Sequence, residues 1–239
     1  MQIRTLTHNI HKGVSYYSNR RILSGLREEI RATQADFVFL QEICGGSVGE
    51  PHPQQDYLAE AVWSERVYGR NAVHKKGHHG NAILSKFLVE ENHNEDISLD
   101  RWERRGLLHA VARLPDGGRL HLFCLHLNLL HDDRRKQARQ VIQRLQHRLK
   151  PDDRSILAGD FNDWRSQLSR ELESEAGFKD AALEALGEHP RTYPSFLPIL
   201  RLDRIFFRNL TLLDFSVLND MRWRRLSDHL PLTATFAVG

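Results

Sequence analysis

Two stretches of this chain share one layout, and that layout restricts the fold more than anything else in the sequence. In the first, a short strand over residues 3–10 leads into a helix over 20–34, with Ile22, Leu23, Leu26 and Ile30 on one face, and then into a strand over 36–41 that ends at Glu42. In the second, a strand over 120–127 leads into a helix over 132–149, with Ala138, Val141, Ile142, Leu145 and Leu149 at helical spacing, and then into a strand over 155–158 that runs into Gly159-Asp160. Both closing strands are almost wholly apolar and deliver a carboxylate at their end. A strand apolar on both faces is covered on both, as a rule by helices. Shorter strands are expected at 81–85, 106–112, 204–207 and 230–237, and the turn Pro115-Asp116-Gly117-Gly118 reads as a hairpin. Two sheets packed face to face with helices outside accommodate all of these pieces.

A chain of 239 residues with 40% hydrophobic content fills a sizeable core, and no low-complexity or Pro/Gly-rich linker divides it. The loosest stretch, the loop over 45–53, is too short for a domain hinge, so one domain over 1–239 is the simplest organisation. No apolar run approaches the roughly 18 residues of a membrane span, and MQIRTLTHNIHKG turns polar too early for a secretory signal. A soluble, cytoplasmic, monomeric protein is expected. Cys44 and Cys124 make no C-x-x-C pair, so they read as buried free thiols and not as a disulfide framework or zinc site. The net charge of +3 is no polyanion signature by itself. Arginine clusters say more: Arg101, Arg104 and Arg105; Arg201, Arg204 and Arg208; and Arg222, Arg224 and Arg225, the last just ahead of Asp228-His229. Each is either solvated surface or an anion contact.

Five strand-end segments carry chemistry. In LAGDFND, Asp160 and Asn162 are two residues apart, so on an extended chain they face one spot, and Gly159 allows close backbone approach. A carboxylate there can bind a metal or take a proton, and a carboxamide can donate to an oxyanion. LSDHLPL offers His229 for proton transfer near neutral pH. Neighbours on a strand point apart, so its orienting acid comes from elsewhere than Asp228, and Asp203 in RLDRIFF is the candidate. In CLHLN, His126 and Asn128 share a face; in THNIH, Asn9 and His11 do. Glu42 in LQE ends a buried strand and suits a hard cation. Taken singly, each has a bland alternative as a polar strand end, a core histidine or a surface ion pair.

In this order the motifs THNIHKG, FLQEI, GNAILSK, LHLNL, LAGDFND, RLDRIFF and LSDHLPL resemble the endonuclease/exonuclease/phosphatase superfamily. They run from Thr5 to Leu232, and the likeness is nearest to its uncharacterised bacterial members. The resemblance implies a four-layer α/β/β/α sandwich, with two mixed, mainly antiparallel sheets packed face to face. It implies hydrolysis of a phosphoester with Mg²⁺ or Mn²⁺. Carried over by motif, Glu42 holds the metal with Asn9 beside it and Asp228 in support. Asp160 orients or deprotonates water or joins the metal shell. Asn162 and His126 contact the scissile phosphate, and His229, oriented by Asp203, is an acid/base or a phosphate ligand. Arg105 and Arg225 are the arginines expected to touch substrate. Two positions depart from the nuclease pattern: His11 stands where many members carry an acid, and no Tyr lies near Asn128-Leu129, so abasic-site cleavage is not expected. A phosphodiesterase or nuclease is the leading expectation. A phospholipid or sphingomyelin-type diesterase, an inositol-phosphate phosphatase and a non-catalytic binder of phosphorylated ligands are the alternatives. Trp164, Trp223 and Phe196 are candidates to stack on a base or touch lipid, and the proline-stiffened segment 192–200 is a candidate substrate-side loop.

Overall fold

The computed structural model describes residues 1–15, 21–47, 52–75 and 77–239; the expected helix start at Arg20 and residues 48–51 of the 45–53 loop lie outside these. The first unit consists of β1 (Gln2–Asn9), α1 (Leu23–Ala32) and β2 (Phe37–Ser47), with β1 and β2 parallel. The strand runs on through Gly45 and Gly46, which the sequence assigns to a loop. Then come α2 (Gln54–Ala59), β3 (Glu65–His74), β4 (Gly77–Ser85), β5 (Val89–Asp96) and β6 (Gly106–Arg113). The second unit is β7 (Arg119–His126), α3 (His131–Arg148) and β8 (Arg154–Asp160), again with its strands parallel. The chain closes with α4 (Leu168–Ala176), β9 (Lys179–Asp180), α5 (Ala181–Leu186), β10 (Asp203–Arg208), β11 (Thr211–Val217), α6 (Trp223–Leu226) and β12 (Leu232–Ala237).

The strands form two six-stranded sheets, ordered β11-β12-β1-β2-β4-β3 and β5-β6-β7-β8-β10-β9. Each is antiparallel except at the one parallel pair that its strand–helix–strand unit supplies. Alternation along the strands builds three apolar layers. Phe37 and Phe39 of β2 meet Leu122, Ile156, Ile205 and Phe207 between the sheets. Val38 and Leu40 turn the other way, onto Leu26, Ile30 and Leu58 of the helices. On the second sheet, Phe123, Leu125 and Leu157 pack outward against Ala138, Val141, Ile142 and Leu145 of α3. The result is the expected helix–sheet–sheet–helix stack. No helix among the described residues is long and apolar enough to cross a membrane. Cys124 is buried and Cys44 only partly so, and neither is in a disulfide.

Several buried histidines sit inside this frame. Burial lowers His8 to about 4 and His109 to about 3, against 6.5 for a free imidazole. The unfolded chain therefore binds more protons than the folded one between pH 6.5 and these values. Stability is full above pH 6.5 and falls as the pH drops through that window, by about 2 kcal/mol per histidine at pH 5. Urea unfolding at pH 7.5 and pH 5.0 should show this loss; equal midpoints would contradict neutral burial of these rings.

Candidate active site

The rows of side chains that fill the gap between the sheets end in polar residues. On β8, Ile156 and Ala158 face that gap, so Asp160, next on the row, faces it too. The same step leads from Leu122 and Cys124 to His126 on β7 and from Phe207 and Ile205 to Asp203 on β10, while on β1 the row runs from Ile3 through Thr5 and Thr7 to Asn9. The register puts Asp160 directly opposite Asp203 on one side and His126 on the other. Beneath them Gln41, next after Phe39 on its row, donates to Thr7 Oγ1 (3.2 Å) and to Cys124 Sγ (3.3 Å), tying the two sheets together.

Glu42 arrives differently. Plain alternation would leave it on the helix side with Leu40. The β2–β4 register slips between Leu40 and Ile43, and Glu42 takes φ = +55°. This bulge re-aims the carboxylate, so that Asn9 Nδ2 donates to Glu42 Oε1 at 3.4 Å. Asn162 also comes in by a turn, not a strand. It has φ = +50°, its N–H donates to Asp160 Oδ1 (3.0 Å) and its Nδ2 to the Leu127 carbonyl (2.9 Å). The expectation that Asp160 and Asn162 share a strand face is thus corrected: the strand ends at Asp160, and the turn brings Asn162 to the same cleft. His11 is corrected likewise. β1 ends at Asn9, His11 has φ = +44°, and its N–H donates to Asn9 Oδ1 (3.2 Å). Asn128 does not accompany His126 into the site; it exchanges hydrogen bonds with Gln137 (2.8 and 3.0 Å).

Asp160 is the hub. Its Oδ2 accepts from Asn9 Nδ2 (3.1 Å) and lies 3.4 Å from His126 Nε2 and 3.7 Å from His229 Nε2. His229 Nδ1 in turn meets Asp203 Oδ2 at 2.9 Å, which makes Asp203 the partner expected for it. The His229 carbonyl accepts from His8 Nε2 (3.1 Å), which fixes the segment from behind. Asp160 and Asp203 are 1% exposed and His229 5%. Two facing carboxylates repel each other, and the charge of His229 between them resolves the conflict. Burial alone would discharge this imidazole, but Asp203 and then Asp160 outweigh it and raise it to about 10. Burial pushes Asp160 up to about 6 against the opposing pull of His229. His126 lies well below the ordinary range through burial and the nearby Arg105 charge, so it is neutral. Glu42 resists its own burial: His126, Lys12 and the Asn9 amide hold it at about 2, with Lys12 Nζ 3.6 Å away.

A cleft of about 240 Å³ opens over these groups. Glu42, His126, Asp160, Asn162, Asp228 and His229 line it, and Arg105 flanks it with its guanidinium bonded to Glu103 at 2.5 Å. Arg225 is not among the lining residues; it is exposed on α6. Arg204 is no surface cation either. It is buried, donates to the carbonyls of Asp203 (2.9 Å) and Asp163 (3.1 Å), and lies 3.9 Å from Asp180. Two lining residues, Leu129 and Leu202, had no sequence signal of their own; Tyr193, whose ring centroid is 5.0 Å from that of His229, belongs to the expected loop. The 192–200 segment does border the cleft through Tyr193 and Leu200, and Ser195 anchors it to Asp228 O and Ser227 O. Trp164 stands at the rim, whereas Trp223 is buried edge-on to His8.

Two places here can hold a divalent cation. Asp160, Asp203 and His229 each offer a ligand atom within 4.8 Å of the others, and Asp203 Oδ1 is buried without a hydrogen-bond partner. That spot is closed, and its imidazole carries a proton, which opposes a second positive charge. Glu42 is ionised, a fifth exposed on the cleft side, and shares the Asn9 amide with Asp160. Oxygen donors on the open side of a cleft suit Mg²⁺ or Mn²⁺, which take one or two carboxylates and keep water. The residues present therefore fit a hard divalent ion.

Comparison with known proteins follows the same lines. The profile described as Endonuclease/Exonuclease/phosphatase family matches residues 6–229. The uncharacterized protein YbhP of Escherichia coli (strain K12) is 40% identical over 243 residues, covering 97% of this chain and 94% of that one. Among solved structures, an endonuclease/exonuclease/phosphatase from Beutenbergia cavernae superposes with a TM-score of 0.84 at 21% identity, over all of this chain and 72% of that one. D. rerio TDP2 complexed with a single-strand DNA product gives 0.76 at 20% identity, over 99% of both chains. At these identities the two structures share the fold.

Proposed function

This chain belongs to the endonuclease/exonuclease/phosphatase family, and on that premise we propose that it is a divalent-metal-dependent phosphodiesterase that cleaves by in-line attack of water. The observation that carries this reading is the row Asp203–His229–Asp160. It sets a carboxylate that titrates near neutral pH beside a charged imidazole at the floor of the cleft. Glu42 and Asn9 would hold a Mg²⁺ or Mn²⁺ ion, with Asp228 in support. When bound, that ion would supply positive charge to offset the charge that builds on the phosphoryl oxygens. Asp160 takes the proton of the attacking water, a task for which a value of about 6 is well matched. As the new O–P bond forms and the ester P–O bond breaks, His229 gives its proton to the departing oxygen, and Asp203 keeps it charged and oriented. His126, neutral, and Asn162 offer N–H groups to the phosphoryl oxygens without adding charge to be desolvated.

A nucleic-acid strand is the first substrate class, supported by the TDP2 neighbour captured with a DNA product. A phospholipid diester is the second, favoured by the exposed Phe196, Leu197 and Ile199 on the loop at the cleft edge. The test uses bis(p-nitrophenyl) phosphate with Mg²⁺ or Mn²⁺, followed by a panel of single-stranded and duplex DNA, RNA, sphingomyelin, cardiolipin and inositol phosphates. Turnover should vanish with EDTA and return with added metal. Glu42→Gln should raise the metal concentration for half-maximal rate by about tenfold or more. Turnover indifferent to EDTA, or no turnover with either metal, would overturn the reading.

A further inference from the structure

Past Trp164 the surface opens into a second concavity, of about 530 Å³, walled by the first turns of α3 and α4 and the turn between β8 and α4. Three guanidiniums face it, those of Arg135, Arg165 and Arg170, against the single carboxylate of Glu171. Elsewhere on the surface, arginines such as Arg113, Arg119, Arg144, Arg148 and Arg154 sit on carboxylates. The guanidiniums of Arg135, Arg165 and Arg170 make no hydrogen bond or ion pair among the described residues. Three unpaired guanidiniums around one hollow repel each other, and an incoming anion relieves that cost. Arg135 also borders a neighbouring groove with Asp132, Lys136 and Arg139, and since Lys136 Nζ lies 3.8 Å from Asp133 Oδ1 the positive track continues along α3 chiefly through Arg139.

The hollow connects to the cleft through one residue. Trp164 lines the cleft and is 38% exposed, Arg165 follows it in the chain, and the Arg134 guanidinium stacks on the indole at 4.5 Å. An exposed indole between the cleft and the arginine-lined hollow suits a base lying between two backbone phosphates. We propose that the Arg135–Arg165–Arg170 hollow binds a second, unreacted phosphate of a single nucleic-acid strand whose scissile phosphate lies over Asp160 and His229. The strand, as against a small inositol phosphate, is indicated by the continuation of the track to Arg139. This inference rests on the phosphodiesterase reading of the cleft.

The experiment measures binding of fluorescein-labelled oligo(dT) of twelve nucleotides by anisotropy, with Mg²⁺, in an Asp160→Asn background that stops turnover. Adding Arg165→Ala and Arg170→Ala should raise Kd at least tenfold and lower the salt slope of log Kd by about 0.7 or more. Arg165→Lys with Arg170→Lys should recover most of the affinity. In the Asp160 parent, the same alanine pair should leave hydrolysis of bis(p-nitrophenyl) phosphate unchanged, because that diester is too small to reach the hollow. A Kd within twofold of the parent would overturn the proposal. So would binding to vesicles rich in anionic phospholipid, lost in the alanine pair, with none to the oligonucleotide. The parent's metal-dependent turnover of the small diester tests the cleft reading separately.

Discussion

Replacing Asp160 by Asn is expected to lower kcat on bis(p-nitrophenyl) phosphate by about 10³-fold or more with little change in the unfolding midpoint. Asn keeps the volume and the acceptor that the Asn162 N–H needs, so this buried site stays filled. What it loses is the basic oxygen that faces both histidines and the Asn9 amide. The pH profile should change as well. In the wild type kcat/KM rises with pH through about 6, as Asp160 loses its proton, and falls again through about 10, as His229 loses its own. The variant should lack the acid limb. Asp203→Asn, which removes the first charge holding His229 protonated, should move the alkaline limb to lower pH. A residual rate within tenfold of wild type in Asp160→Asn would remove Asp160 from the role of base.

Gly159→Ala is the largest expected effect on folding, a destabilisation of about 3–5 kcal/mol from backbone strain and overpacking together. Gly159 has φ = +151°, a region closed to other residues, and a Cβ there would lie 2.1 Å from the Leu125 carbonyl oxygen. That carbonyl belongs to β7, paired in parallel with β8 at the point where the two strands present His126 and Asp160. Nothing flexible is available to move aside, so relief requires the two strands to part. Urea unfolding reads the loss directly; a loss under about 1 kcal/mol would contradict the close approach. Activity should fall with stability, since the same displacement separates His126 from Asp160.

Strand periodicity carried most of the site in advance. His126, Asp160 and Asp203 each lie one step beyond an apolar row, and apolar rows can be read from residue type alone; Asn9 ends a row that begins at Ile3 but passes through Thr5 and Thr7. The pairing of Asp203 with His229 could also be anticipated, because an adjacent Asp228 cannot turn back onto the ring. Where the reading failed, the backbone left the strand. Glu42 reaches the cleft through a bulge, Asn162 and His11 through residues at positive φ, and two-residue alternation is blind to all three. Arg204 looked like one of a surface cluster because sequence does not show that three carbonyl and carboxylate acceptors converge on it. Nor does any spacing join Ser169, Asp180 and His189, which share hydrogen bonds behind it. The edge strand β5 was missed because its exposed run EENHNED carries no apolar position; β11 does alternate over Leu213-Asp214-Phe215-Ser216-Val217, a short signal that the expected strands do not include.

The central claim is that water, activated in this cleft with a divalent ion present, attacks phosphorus. Hydrolysis of bis(p-nitrophenyl) phosphate by metal-loaded enzyme in ¹⁸O-enriched water, with products read by mass spectrometry, tests it most directly. The expected result is one solvent oxygen in p-nitrophenyl phosphate, none in p-nitrophenol, and no labelled product in EDTA. Label in the phenol, or equal labelling with and without metal, would contradict it.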